Sequence, residues 1–238
     1  MKQMLTAGLA SMGFLASSAG AATINVPDSC FPDILDTGIC VTGEEPQDEP
    51  GSQDVVAYVL LYKSDFPTIE AAIDQFFDWG NWQAYYDKAD FKKTSVVSSI
   101  KMLPLDTTDK NGAPVRYLRN YFHFSTKVPI IGNQYVRGIS LYQDISQGGI
   151  RSFQYHLAQG AMEVPPGENP LDGSEGLAKQ EGLLQFMECD QFDFCTDEEI
   201  MVHYKMRLRH KIPIMAGYAV QFAKEQVNAL MTGMYLRE

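Results

Sequence analysis

The sequence lacks the short motifs that mark most enzymes and nucleotide-binding proteins. It contains no GxSxG, no GxGxxG, no GxxxxGK[ST] loop and no HExxH, so it offers no sign of a serine hydrolase, a nucleotide site or a zinc protease. Basic residues are also scarce: 19 Lys and Arg stand against 30 Asp and Glu, for a net charge of −11. This charge argues against a nucleic-acid partner and against binding to anionic membranes by bulk charge alone.

Long apolar runs are missing as well, apart from a short one at the N-terminus. Lys2 precedes an apolar stretch over residues 5–16, and Ala19-Gly20-Ala21 supplies a small-x-small cleavage pattern. The stretch is well short of the ~20 residues that span a bilayer, so a signal peptide over residues 1–21 is favoured over a membrane anchor. We expect cleavage after Ala21 and a periplasmic or secreted protein, with 18 basic residues against 30 acidic ones after Lys2 is removed.

The chain has only four cysteines, which suit disulfides in an exported protein. Three pairings are conceivable for four cysteines. We expect local pairing, Cys30 with Cys40 and Cys189 with Cys195, because each pair lies within one loop or hairpin. A metal site is the weaker alternative, since there is no CxxC and no histidine beside the pairs. The sequence therefore predicts no metal site and no cofactor.

Turn and strand signals divide the mature chain into an arm and a folded domain. Residues 22–54 carry four prolines and the acidic run 44–50, and we expect an irregular N-terminal arm there. Residues 55–238 begin with a β-branched strand over 55–62, followed by two short helices with Thr68 as an N-cap. Six further strands are predicted over 94–103, 115–125, 134–144, 150–158, 182–192 and 199–209.

The last predicted strand and the segment after it indicate how the domain is built. Val202, Tyr204, Met206 and Leu208 alternate with His203, Lys205, Arg207 and Arg209, so the second set, including His203, is expected to face water. Residues 214–234 form a long apolar helix that needs a large hydrophobic partner. The pattern predicts an α+β helix-grip fold, in which a seven-stranded curved antiparallel sheet wraps around the C-terminal helix.

Three segments carry a resemblance to a known family. Residues 79–86 resemble an aromatic "W…W" helix pair, residues 129–136 a "P…SNRDYV" strand start, and residues 211–216 a "G.IP.WL" helix start. In this order they resemble START-like lipid-binding domains of the Bet v 1-like (SRPBCC) superfamily, in a secreted bacterial form. The resemblance implies an internal cavity for a lipid. Gln134 and Tyr135 replace the family's Arg-Asp, and Arg137 is a candidate substitute for its buried charge.

Alternation with charged neighbours and helical spacing select the candidate ligand-binding residues. They are all aromatic or methionine side chains, and methionine adapts well to irregular apolar shapes. The same pattern fits a filled core, and the resemblance favours a lined cavity. The candidates are Trp82, Phe122, Phe124, Tyr155, Phe186, Tyr204, Met206, Met215, Tyr218 and Phe222.

We therefore expect an exported, monomeric protein that binds or transfers a lipid or another hydrophobic small molecule without covalent chemistry. A transient contact with a membrane would accompany the transfer. The main alternative is a cyclase- or hydrolase-like enzyme on the same fold, for which His123, His156 and Glu188 are the candidate pocket groups. A third alternative is an interaction protein whose cavity is filled by side chains.

Overall fold

The computed structural model describes residues 24–128, 132–189, 192–211 and 216–236. The expected signal peptide lies outside these residues and stays a prediction. The strands are β1 (Ile39–Glu44), β2 (Ser52–Tyr62), β3 (Thr94–Thr108), β4 (Pro114–Val128), β5 (Gly132–Asp144), β6 (Arg151–Leu157), β7 (Ala161–Met162), β8 (Leu171–Asp172), β9 (Leu177–Glu188) and β10 (Glu199–His210). The α-helices are α1 (Phe31–Thr37), α2 (Ile69–Phe76), α3 (Trp82–Lys88) and α4 (Ala216–Tyr235).

Eight of the described strands form one antiparallel sheet in the order β1-β2-β10-β9-β6-β5-β4-β3, which curves around α4. The alternation predicted for β10 is confirmed, because Val202, Tyr204, Met206 and Leu208 are all buried on the face that carries α4. α4 packs against β1, β2 and α3. The helix-grip prediction is therefore confirmed, with eight strands in place of the seven expected.

The extra strand comes from the segment expected to be an irregular arm. In its described part this segment contains α1 and β1, and β1 pairs with β2 from Ile39 opposite Val59 to Glu44 opposite Asp54. The strand is short and includes Gly43, so its sequence gives a weak strand signal. A Cβ atom at Gly43 would lie 2.7 Å from Cγ of Lys224, so the glycine lets α4 approach the sheet closely.

Both predicted disulfides are confirmed. Cys30 and Cys40 join the start of α1 to β1, and Cys189 and Cys195 close the loop after β9, with Cα–Cα distances of 5.4 and 5.6 Å. Two disulfides are typical of proteins that fold in an oxidising compartment. The arm and this loop bury a second apolar cluster on the convex face of the sheet, which includes Ile34, Tyr58, Leu60, Met187 and Met201.

The convex cluster also covers His203, so the expectation that this histidine faces water is wrong. Its ring stacks on Tyr58 at 5.3 Å between centroids, and its Nδ1 lies 3.0 Å from Oε1 of Gln185. Burial, together with the nearby charge of Lys205, lowers the pKa of His203 to about 4. The alternation of β10 shows only which residues share a face. It could not predict that the arm covers the face that carries His203.

Two basic residues of β10, Arg207 and Arg209, form ion pairs with acidic residues of the arm. Arg207 binds Asp54 through two hydrogen bonds of 2.7 Å, and its Nη1 lies 3.0 Å from Asp48. Nη1 of Arg209 lies 3.3 Å from Glu49. The acidic run 44–50 thus lies against Arg207 and Arg209 on the outer face of β10.

Candidate functional site

A cavity of about 240 Å³ lies between the concave face of the sheet and α4. Its walls come from β4, β5, β9 and β10 on one side and from α3 and α4 on the other. The exposed Lys211 also lines it, so among the described residues this end of the cavity meets solvent. In the described part of the chain, the site is therefore a pocket that opens near the end of β10.

The strands position the floor of the cavity through simple alternation. On β4, Phe122 and Phe124 point to the cavity and stack at 5.5 Å between ring centroids. Trp82, at the start of α3, stacks on Phe124 at 6.2 Å. On β10, Tyr204 and Met206 continue the same wall. The lining is thus mainly aromatic and apolar, as pockets for small hydrophobic molecules are.

The roof of the cavity is one face of α4. Tyr218, Phe222 and Gln226 are spaced by four residues, and the small side chains of Ala219 and Ala223 lie beside them. The two alanines leave room above the floor, because a larger residue on this face would fill the gap. The helix therefore serves as a cover over space as well as a core element.

Behind Tyr142, which lines the cavity, lies a tightly packed aromatic cluster, which we call the packed half. Phe77 contacts Phe153 at 4.9 Å and Trp79 at 5.3 Å between ring centroids. Tyr155 is completely buried and covers Gly182, where a Cβ atom would lie 2.5 Å from its hydroxyl. The packed half consists of Phe76, Phe77, Trp79, Phe153 and Tyr155.

The structure brings together most of the side chains selected from the sequence. Tyr155 and Phe186 do not line the cavity; both are fully buried in packed core. Met215 lies outside the described residues. The seven candidates that line the cavity are Trp82, Phe122, Phe124, Tyr204, Met206, Tyr218 and Phe222.

Sequence reasoning missed a set of polar side chains in the cavity wall. Asn120 on β4 lies directly opposite Ser140 on β5, and both are at most 2% exposed. Gln180 on β9 accepts a hydrogen bond of 3.2 Å from the Ser140 hydroxyl. Asn120 stands two residues before Phe122 on the same strand, so the alternation that selected Phe122 could have selected it as well.

The described lining of the cavity contains no carboxylate. Among the described lining residues, the ionisable groups are tyrosines, His210 and Lys211. Burial raises the pKa of Tyr204 to about 12, although the hydrogen bond with Tyr155 lowers it in part. Burial lowers the pKa of His210. Lys211 lies at the open end, where its Nζ donates to the Ser174 carbonyl at 2.6 Å.

The charged group suggested by the family resemblance is on the other side of the sheet. Arg137 is buried on the convex face, where its Nε donates to Glu175 at 2.8 Å and its Nη1 lies 3.8 Å from Glu168. It alternates with Val136, which does line the cavity. Arg137 therefore does not replace a buried charge at the cavity floor.

The candidate groups for an enzyme are likewise outside the cavity. His123 lies 3.9 Å from Glu168, and His156 packs edge-on against Tyr117, 5.6 Å between ring centroids. Glu188 forms an ion pair of 2.6 Å with Lys63. The structure does not bring these three side chains together into one site.

The described part of the chain contains neither a candidate metal site nor a candidate membrane-spanning helix. No group of three or more His, Cys, Asp or Glu side chains there could hold a metal ion. In the same residues, no helix has both the length and the apolar character needed to cross a membrane.

No family model and no curated protein matches the sequence. Among solved structures, the STAR-related lipid transfer protein (fragment 25-204) from Xanthomonas axonopodis superposes with a TM-score of 0.56 at 12% identity, over 83% of this chain and 92% of that chain. Human STARD10 gives a TM-score of 0.49 at 11% identity, over 91% and 81%. The first of these likenesses, together with the sheet that curves around α4, shows that the chain has a START-like helix-grip fold.

Proposed function

We propose that this protein holds a lipid or another hydrophobic small molecule, without a covalent bond, in the cavity beneath α4. The observation that carries the proposal is the cavity itself: an aromatic and apolar space with one end open to solvent, enclosed by a rigid sheet and a helix. A monomeric core normally fills such a space, because interiors pack to crystal-like density. Space of this kind is well suited to an apolar ligand.

Burial of apolar surface supplies enough free energy for this role. A ligand that loses about 300–400 Å² of apolar surface gains about 8–10 kcal/mol at ~25 cal/mol per Å², before the cost of association. The cavity volume of about 240 Å³ lies just below the usual range of small-molecule pockets, which is roughly 300–1,000 Å³. We therefore expect a ligand with about one acyl chain or a compact ring system inside the cavity.

The similar structure and the disulfides support the proposal and its setting. The name of the Xanthomonas protein describes lipid transfer. The signal-peptide pattern and the two disulfides support export to the periplasm or beyond the cell. We propose that the protein acts there as a monomer, carries its ligand through water, and contacts a membrane transiently to load or release it.

Filling the cavity is the sharpest test of this function. Val136 lines the cavity on β5, and Val136→Trp would occupy the space with an indole ring. Val97→Trp is the matched control, because Val97 is 54% exposed on β3. We expect Val136→Trp to weaken binding of a fluorescent acyl-chain probe by more than about ten-fold, a loss of about 1.4 kcal/mol.

The control variant should bind the probe as the wild type does, and both variants should keep cooperative thermal unfolding. Equal probe affinity in wild type and folded Val136→Trp would place the probe elsewhere and contradict the proposal. So would a wild type that takes up no apolar probe.

A further inference from the structure

A row of polar side chains crosses the floor of the cavity, which is otherwise mainly aromatic and apolar. We call Asn120, Ser140 and Gln180 the polar row; they lie on β4, β5 and β9. The Asn120 Oδ1 accepts from the Ser99 hydroxyl at 3.3 Å, and the Ser140 hydroxyl donates to Gln180 at 3.2 Å. The strands hold all three against one face of the cavity.

The polar row contains a hydrogen-bond donor, the amide nitrogen of Gln180, that has only a weak acceptor among the described residues. An amide side chain carries two N–H donors. Among the described residues, the acceptor that the Gln180 amide nitrogen finds is the sulfur of Met206, at 4.0 Å. A thioether is a weak acceptor, so the amide gains little from this contact. Gln180 is half-buried, and a polar group that faces an apolar space is costly when it lacks a good partner. A ligand oxygen in the cavity would provide one.

Among the described residues, the same wall offers no counter-charge to an anionic group bound at the polar row. Apart from tyrosines, the ionisable side chains of the described lining are His210 and Lys211. They lie at and just after the end of β10, next to the open end. Arg137 points to the convex face, where Glu175 and Glu168 bind it. An anionic group at the polar row would therefore lose its water without gaining a counter-charge, which is strongly unfavourable.

We propose, on the basis of the function proposed above, that the ligand is uncharged at its buried end and carries an oxygen that accepts a hydrogen bond from the polar row. Neutral lipids with a hydroxyl, ester or amide group belong to this class. Fatty-acid anions that enter head first, and pure hydrocarbons, do not. The polar row sets the selectivity, and the aromatic wall supplies most of the affinity.

Three probes with the same chain test the inference: 1-dodecanol, n-dodecane and dodecanoate, each measured by displacement of the fluorescent acyl-chain probe. We expect the wild type to bind the alcohol about ten-fold more tightly than the alkane, as one well-formed hydrogen bond allows. The alcohol should also bind more tightly than dodecanoate. In Gln180→Met, which keeps the size of the side chain and removes its amide, the advantage of the alcohol over the alkane should fall to about one-fold.

Gln185→Met is the matched control on the same strand. Gln185 is buried on the convex face, where it contacts Ser152 and His203, so its loss should leave the alcohol-to-alkane ratio unchanged. Equal binding of alcohol and alkane in the wild type, or tightest binding of dodecanoate, would overturn this inference and leave the proposed function standing. Failure of all three probes to bind would contradict the proposed function itself.

Discussion

The concave face of the sheet has two halves with similar residues and opposite outcomes. In the packed half, Phe76, Phe77, Phe153, Trp79 and Tyr155 belong to one buried cluster, and none of them lines the cavity. In the half beneath the start of α4, which we call the open half, Phe122, Phe124 and Phe222 surround a cavity of about 240 Å³. Aromatic content alone therefore does not decide whether a START-like core is filled.

The difference comes from what covers each half. Side chains of α2 and of the turn Trp79–Asn81 enter the packed half directly, so that rings contact rings at about 5 Å. The open half is covered by α4, which presents Ala219 and Ala223 to the sheet. Small side chains on the covering helix, opposite large ones on the sheet, leave a gap at the helix surface. The gap is the property that makes one half a candidate binding site.

The largest expected effect is a difference in stability between a variant of the packed half and a variant of the open half. Phe76 is fully buried in the packed half, and Phe76→Ala should lower the free energy of unfolding by about 3–5 kcal/mol, because it creates a new cavity. Phe124 is half-buried beside an existing cavity, and Phe124→Ala should cost about 1–2 kcal/mol. Urea denaturation of both variants measures the difference. Equal losses would contradict the view that only one half is packed.

A smaller effect is expected from the hydroxyl groups of the two halves. The Tyr155 hydroxyl donates to Tyr204 at 2.9 Å, so Tyr155→Phe should lower the free energy of unfolding by about 1–2 kcal/mol. The buried Tyr218 hydroxyl has no hydrogen-bond partner among the described residues, so Tyr218→Phe should cost nothing or raise stability slightly. Thermal unfolding of the empty protein compares the two. A larger loss of stability for Tyr218→Phe than for Tyr155→Phe would show that hydrogen bonds in the open half are as well satisfied as those in the packed half.

The smallest expected effect is a pH dependence confined to the open half. Burial lowers the pKa of His210, so this residue is neutral at neutral pH, and an apolar ligand that removes more water favours the neutral form further. Affinity should therefore be highest above the lowered pKa and should fall as the pH drops through it. Binding curves for wild type and His210→Gln check this. An unchanged pH profile in His210→Gln would assign the effect to another group.

The sequence predicted the elements and faces of the fold, because alternation and helical spacing depend on local geometry. The two sides of β10 and the apolar face of α4 follow from residues 200–234 alone. The strand β1 was missed because it is short, contains Gly43 and is held in place by β2 and a disulfide. The position of His203 beneath the arm depends on the same long-range contact.

For the candidate site, the sequence predicted which side chains point inward better than it predicted which of them line a cavity and which fill the core. Tyr155 and Tyr204 both point inward from neighbouring parts of the sheet, yet only Tyr204 reaches the cavity. No pattern in β6 or β10 shows this, since it depends on how far side chains from α2 and the turn before α3 extend across the sheet. The polar row was missed for another reason: selection for aromatic residues passed over Asn120 and Ser140 at positions with the same facing.

Native mass spectrometry of wild type and Val136→Trp, each purified from the periplasm of an expressing cell, tests the central claim most directly. We expect one neutral lipid-like molecule bound per wild-type chain, and a Val136→Trp protein that is folded and free of ligand. A wild type without ligand that also takes up none from lipid vesicles, or the same bound molecule in both proteins, would contradict the claim that the open half is a binding site.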